Sequence, residues 1–418
     1  MNSRDAKSST ARPHKQAVAS DDTTASPQKP RQTAMCWRPG DGKFPLLAAA
    51  LLLLFALYDC SFAMVQIGRL RGGDLGDFFA LWSTGRFAAT HAAASVYDPA
   101  ALHAGQVALG MDPQGTYPFP YPPSLLLLLW PLAWLPPLPA YSIAMGGSLA
   151  LFVWAVAGPG WRMPVVLGAL LAPVTAITLV AGQLGCLAGA LLVGGLRLAQ
   201  CRPILAGCFF GLLSYKPQMG VLLPLALLSA QSWRCLASAA FTIAILGIAS
   251  TAAFGLDIWP AWFAALPRYA AQFEAESDLL RHFMPTIYPA LMQAGTDSTV
   301  AMSVQLAATL VVVCVTWRLF RRGVTRLAAA GLIIATFLAV PHAFVYDMPA
   351  VAAAVLWTVA EAADTNAPPF ATSEVLIMVL LLVAPIALVP GTGAMPLAPI
   401  SLALMLWLIE RRSPRLPG

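Results

Sequence analysis

Apolar residues in this chain do not alternate with polar ones. They run in blocks of roughly 15 to 22 positions, divided by short segments in which Pro, Gly and Arg collect. At about 1.5 Å rise per residue such blocks match a hydrocarbon core about 30 Å thick, the shorter ones by tilting or by thinning the bilayer. Strands of a membrane barrel would alternate in character, so the pattern predicts membrane-spanning α-helices. Apolar length and Pro/Gly punctuation set the expected spans at 45–67, 138–157, 164–180, 184–199, 204–213, 218–228, 236–254, 300–316, 327–340, 348–359, 375–389 and 396–409. The stretch 124–135 is too short to cross and is bracketed by Pro122, Pro123, Pro136 and Pro137, so it reads as a half-membrane helix that returns outward. The expected fold is an all-α polytopic membrane protein with about 12 transmembrane helices, one half-membrane helix and two external loops, 68–123 and 255–299.

Composition agrees with a lipid-embedded chain. Of its 418 residues 58% are apolar and 11% charged, and the mean hydropathy is +0.71; a water-soluble globule would lack the polar surface to cover itself. Residues 1–43, rich in Ser, Thr, Ala, Pro and basic side chains, bury too little to offset ordering entropy and are expected to form a disordered cytoplasmic tail. The membrane body is then 44–412, and 413–418 is a short cytoplasmic tail. The first apolar block is too long and too far from the start to be a cleaved signal, so it should remain as an anchor. With both termini inside the cell, only Arg69, Arg71, Arg86, Lys216, Arg268 and Arg281 of the 25 basic residues fall outside, as the positive-inside rule requires. The net charge of +6 is thereby assigned to topology, and nucleic acid is not an expected partner. The seven cysteines lie in the tail or within apolar blocks and predict neither a disulfide framework nor a zinc site. No nucleotide loop, dinucleotide fingerprint, serine-hydrolase elbow or metal-spaced His/Cys set occurs, so neither cofactor nor metal is expected.

Lys216 decides the topology of the middle of the chain. A single helix across 204–228 would put its ammonium near the bilayer centre, at a cost of about 2.5 to 3.5 kcal/mol or more. Pro217 instead favours a break at the outer surface between two short spans.

This topology gathers the chemically unusual residues on the external side. Asp74 and Asp77 precede and enter an expected helix over 75–89; acids there serve equally as helix-start residues or, beside a lipid surface, as a general base toward a sugar hydroxyl. The run YPFPYPP stiffens the loop end while Tyr117, Phe119 and Tyr121 lie in the interface. Lys216 in SYKPQMG either snorkels to the interface or clamps a phosphate as negative charge develops on it. Gln218 and Gln183 can add hydrogen bonds there or pack as interhelical amides. PHAFVYD brings His342, Tyr346 and Asp347 to another outer break, where Asp347 can fix the tautomer of His342.

In their order, DFFALWSTGR with SVYDP, YPP, GQLG, GLLSYKPQ and PHAFVYD resemble glycosyltransferase family 87, whose described members are polyprenol-phosphate-mannose-dependent mannosyltransferases. The resemblance implies a GT-C-type helical bundle, a membrane enzyme of the cell envelope, and a lipid-linked donor entering from the outer leaflet. It places the catalytic Asp at Asp77, with Asp74 a second candidate and Arg86 closing the same pattern. It matches Lys216 to the family's KPQ lysine and His342 to its PH histidine; together with the residue reading above, donor-phosphate contacts are expected at Lys216, His342 and Gln218, with Gln183, Tyr121, Tyr346, Asp347 and Arg86 in support. The expected activity is inverting transfer of a hexose, mannose-like, from a polyprenyl-phosphate sugar to a lipid or glycan acceptor on the periplasmic face, with membrane lipids as surroundings. A transporter or flippase of a lipid-linked intermediate is the rival reading. Its site would lie near the midplane between repeated halves, and no repeat between halves is visible.

Overall fold

A computed structural model of the chain describes residues 46–115, 117–275, 280–365, 367–388 and 397–413. The expected tail 1–43 and Cys36, as well as 414–418, lie outside the described residues; the other six cysteines are free thiols. The fold is all-helical, with no strand among the described residues. Its helices are α1 (Leu46–Arg71), α2 (Asp77–Thr90), α3 (Pro99–Ala108), α4 (Leu126–Leu132), α5 (Pro137–Ala157), α6 (Met163–Leu170), α7 (Pro173–Ala181), α8 (Gly185–Leu198) and α9 (Pro203–Leu212). They continue as α10 (Leu223–Ser229), α11 (Trp233–Phe254), α12 (Ile258–Ala275), α13 (Ile287–Gln293), α14 (Ser298–Phe320), α15 (Arg326–Ala339), α16 (Pro349–Asp364), α17 (Thr372–Ala387) and α18 (Leu397–Arg412).

Among the described residues four helices are long and apolar enough to cross a membrane: α1 from Leu53, α5, α11 and α14. The expected span 164–180 is broken where Pro173 cannot continue α6, and α6 and α7 meet at 45°; counted as one broken span, the pair makes a fifth. The remaining expected spans form shorter apolar helices, so helix length supports four or five crossings where apolar pattern alone gave about twelve.

Two helices form the centre. Nearly every residue of α8 and all of α15 are buried, although both are short. Glycine lets α8 accept close neighbours: Gly194 faces the ring of Phe209, and Gly195 that of Phe210. By contrast α1 and α11 bury little of their length, and Phe241, Ile243, Ile245 and Ile248 stand exposed on α11. An apolar surface of that extent belongs against lipid rather than water.

The chain folds back at Lys216. Helix α9 runs parallel to α11, with Gly207 against Cys235 and Ser238 and Gly211 against Thr242. Two 3-10 turns, Leu213–Tyr215 and Pro217–Gly220, then reverse the chain into α10, whose Ser229 bonds the Trp317 carbonyl at the far end of α14. Beyond Thr242, α11 continues about 18 Å to Phe254 at helical rise. The reversal at Lys216 therefore lies inside the bundle, short of the end of α11.

Candidate active site

Glycine packing brings the start of α2 onto the end of α7. Gly182 terminates α7 with φ +73°, and a Cβ there would stand 2.5 Å from the Leu75 carbonyl oxygen. Gly76, at φ +58°, presses on the Ala181 carbonyl from the other side. This contact sets Asp77, the first residue of α2, beside Gln183, and the Gln183 amide donates to Asp77 Oδ2 at 2.7 Å. Tyr121 of the proline-stiffened stretch donates to Gln183 Oε1 at 3.4 Å. Desolvation raises the Asp77 carboxyl above the usual carboxylate range, while the Gln183 bond and Arg69 oppose that rise.

A second approach adds the other half of the site. Gly185 opens α8, and a Cβ on it would lie 1.6 Å from the Tyr346 carbonyl oxygen, so only glycine admits that strand of backbone. Thr178 then donates to the same carbonyl at 3.0 Å. Tyr346 and Asp347 are thereby carried to Lys216, which forms an ion pair with Asp347; the two side chains are 3% and 0% exposed. The Lys216 ammonium also stands 5.0 Å from the centre of the Tyr346 ring. Tyr121, bonded to Gln183, is also close enough to Lys216, Asp347 and Asp77 to feel their charges, so it lies near both the Asp77–Gln183 pair and the Lys216–Asp347 pair.

Asp77, Gln183, Tyr121, Lys216, Tyr346 and Asp347 thus form one cluster, and the other candidates lie beside or away from it. Asp74 is half-exposed and pairs with Arg69, Nε to Oδ2 at 2.6 Å, while its Oδ1 accepts from the Gly76 amide at 2.9 Å. Arg69 holds Asp74 below the usual carboxylate range and also donates to the Val180 carbonyl, so Asp74 pins the turn that delivers Asp77. Arg86 packs over Trp134, 5.2 Å from its ring centre. Gln218 is half-buried in the 3-10 turn after Lys216 and makes no side-chain hydrogen bond among the described residues. His342 is not bonded to Asp347, whose partners are Lys216 and the Phe344 amide; that corrects the expected tautomer-fixing contact. Its ring packs edge-on against Phe273 at 4.6 Å and Tyr288 at 5.6 Å, Nδ1 is unpartnered, and burial lowers its pKa.

The segments 68–123 and 255–299 bond to each other beside this cluster, which the sequence pattern did not reveal. Asp98 caps α3 through the amides of Ala100 and Ala101, which explains the DP of SVYDP. Tyr97 is buried and donates to the Tyr121 carbonyl at 2.9 Å. The second loop bonds to the first through Trp262 to the Pro120 carbonyl and Arg268 to the Tyr97 carbonyl. It also holds the PHAFVYD segment, with Val345 N donating to the Phe283 carbonyl at 2.7 Å and Thr286 to the Pro341 carbonyl at 2.6 Å. The aromatic spacing in 258–288 was the available signal for this packing.

A carboxylate with one open oxygen and a buried lysine thus share one polar cluster inside an otherwise apolar helical bundle. The sequence profile of glycosyltransferase family 87 matches residues 119–341, more than half the chain, and the chain belongs to that family. Tyr121, Gln183, Lys216 and Gln218 lie within the match, and Asp77 and Asp347 are joined to it by their bonds to Gln183 and Lys216. No curated protein and no solved structure matches this chain.

Proposed function

We propose that this glycosyltransferase moves a hexose, mannose-like, from a polyprenyl-phosphate donor to a hydroxyl of a lipid or glycan acceptor on the periplasmic face of the inner membrane, with inversion. The shorter helices, paired around their breaks, complete the crossings, and the Asp77 and Lys216 end faces out. The observation that carries the reading is that Asp77 has one carboxylate oxygen bonded to Gln183 and the other open, within the cluster that also holds Lys216.

The acceptor oxygen attacks the anomeric carbon as its proton passes to the open oxygen of Asp77. The bond from that carbon to the phosphate oxygen breaks on the opposite face, and its electron pair leaves with polyprenyl phosphate. The departing phosphate is already a stable anion and needs hydrogen-bond donors more than a proton. Lys216 is paired with Asp347, so the pair offers no net charge; its contribution is the ammonium N–H groups that Asp347 does not use. His342 and Gln218 then stand where the second loop and the Lys216 turn meet the donor.

Purified full-length protein in nanodiscs, given a panel of polyprenyl-phosphate sugars, should release polyprenyl phosphate with one of them. Release with none of them, or a product that keeps the donor's anomeric configuration, would refute this reading.

A further inference from the structure

The Asp77 carboxylate is held by one oxygen only. Oδ2 accepts from Gln183 Nε2 at 2.7 Å, while Oδ1 has no protein partner among the described residues and is not sealed from solvent. An ionised carboxylate only accepts hydrogen bonds, so the NH₂ end of the Gln183 amide must face it. The carbonyl end then faces Tyr121, and packing around that phenol pushes its pKa up, so it keeps its proton and donates. Neither partner is free to drift. Gly182 fixes the backbone before Gln183 in a left-handed turn against Leu75 and Phe78, and the Tyr121 carbonyl is tied to the Tyr97 hydroxyl. Gln183 itself is 7% exposed.

We infer that Gln183 is a positioning residue that aims the open oxygen of Asp77 at the acceptor hydroxyl, and that Tyr121 locks the direction of the Gln183 amide. The inference rests on the reading of Asp77 as the base. It assigns Gln183 to the base rather than to the donor phosphate, the role the sequence pattern suggested. Burial raises the Asp77 pKa and nearby Asp74 adds to that, whereas the hydrogen bond from Gln183 and the charge of Arg69 lower it, so loss of the Gln183 amide shifts the base toward its protonated form.

The test reads Asp77 directly. In infrared difference titrations of the full-length protein in nanodiscs, with Asp77→Asn as the blank, Gln183→Met should move the Asp77 midpoint to higher pH. Tyr121→Phe should move it the same way by less. With polyprenyl-phosphate mannose as the turnover probe, Gln183→Met should lower kcat about ten- to a hundredfold and carry the acid limb of the pH profile upward, with KM for the donor kept. A midpoint that stays at the wild-type value in Gln183→Met, or in Tyr121→Phe should the first variant fail to fold, overturns the inference. Turnover retained by Asp77→Asn would instead sink the reading of Asp77 as the base, and the titration would still decide whether Gln183 governs that carboxylate.

Discussion

Lys216 and Asp347 stand 131 positions apart in the chain and meet as an ion pair with both side chains almost wholly buried. Removing one partner of such a pair leaves an uncompensated charge, which costs about 3 to 5 kcal/mol, whereas replacing both with apolar residues is often neutral. Lys216→Met should therefore lower the melting temperature sharply, and Lys216→Met/Asp347→Leu should recover it. Turnover should be lost in both. If the double variant regains activity together with stability, Lys216 serves the fold and not the donor.

Asp77 and Asp74 should separate cleanly. Asp77→Asn keeps the Gln183 contact in shape and removes the basicity, so turnover should fall on the order of a hundredfold or more. Asp74→Asn weakens an exposed pair with Arg69, worth about 0 to 1 kcal/mol, and should cut turnover only mildly. The two carboxyls also respond oppositely to pH. Asp74 is held below its unfolded value, so its stabilisation is present above the carboxylate range and is lost as pH falls through the lowered value. Asp77 is held above its unfolded value, so activity should decline with acid at a higher pH than an ordinary carboxylate would give. A pH profile of turnover flat into the ordinary carboxylate range contradicts this.

Much of the membership of this cluster was legible in the sequence and little of its wiring was. Asp77, Lys216 and Asp347 announced themselves because a charge beside long apolar runs needs a reason, and Pro217 marked the break that α9 and α10 show. Apolar period locates helices but cannot say which helix end meets which. The bonds from Gln183 to Asp77 and from Lys216 to Asp347 depend on glycine contacts between distant segments, at Gly182 and Gly185, that no local spacing encodes. His342 misled for the same reason: its neighbour in sequence, Asp347, is turned to Lys216, while its neighbours in space are Phe273 and Tyr288 of the second loop. Helix length by itself supports four or five crossings among the described residues, and shorter apolar helices stand at other expected spans: 164–180 is bent at Pro173, and the break expected at Lys216 and Pro217 separates α9 from α10.

Gly185 is the narrowest point of the assembly. Gly185→Ala would drive a methyl into the Tyr346 carbonyl, so Tyr346 and Asp347 must shift away from Lys216 or α8 must move. Overpacking of this kind costs about 1 to 3 kcal/mol or more. The variant should melt earlier and lose most turnover, whereas Gly247→Ala on α11, where nothing lies within 4 Å, should behave as wild type. Equal behaviour of the two variants would mean that the close approach of α8 to the Tyr346 backbone does not hold the site together.

The proposed sidedness can be tested at residues that the fold leaves exposed. Gln114 lies exposed in the 68–123 segment, which the proposed topology puts outside, and exposed Arg321 follows α14 at the end where Ser229 meets the Trp317 carbonyl. Cys60, Cys201 and Cys314 are exposed thiols, and all seven native cysteines must first be replaced so that a single new cysteine reports. In intact spheroplasts an impermeant maleimide should label Gln114→Cys, and should label Arg321→Cys only after permeabilisation. The arginines at 318, 321, 322 and 326 motivate this orientation, because loops rich in Arg stay on the cytoplasmic side. Labelling in the reverse pattern would put Asp77 on the cytoplasmic face. The donor would then have to reach it from the inner leaflet, and the periplasmic reaction proposed here would be wrong even if the chemistry at Asp77 and Lys216 stood.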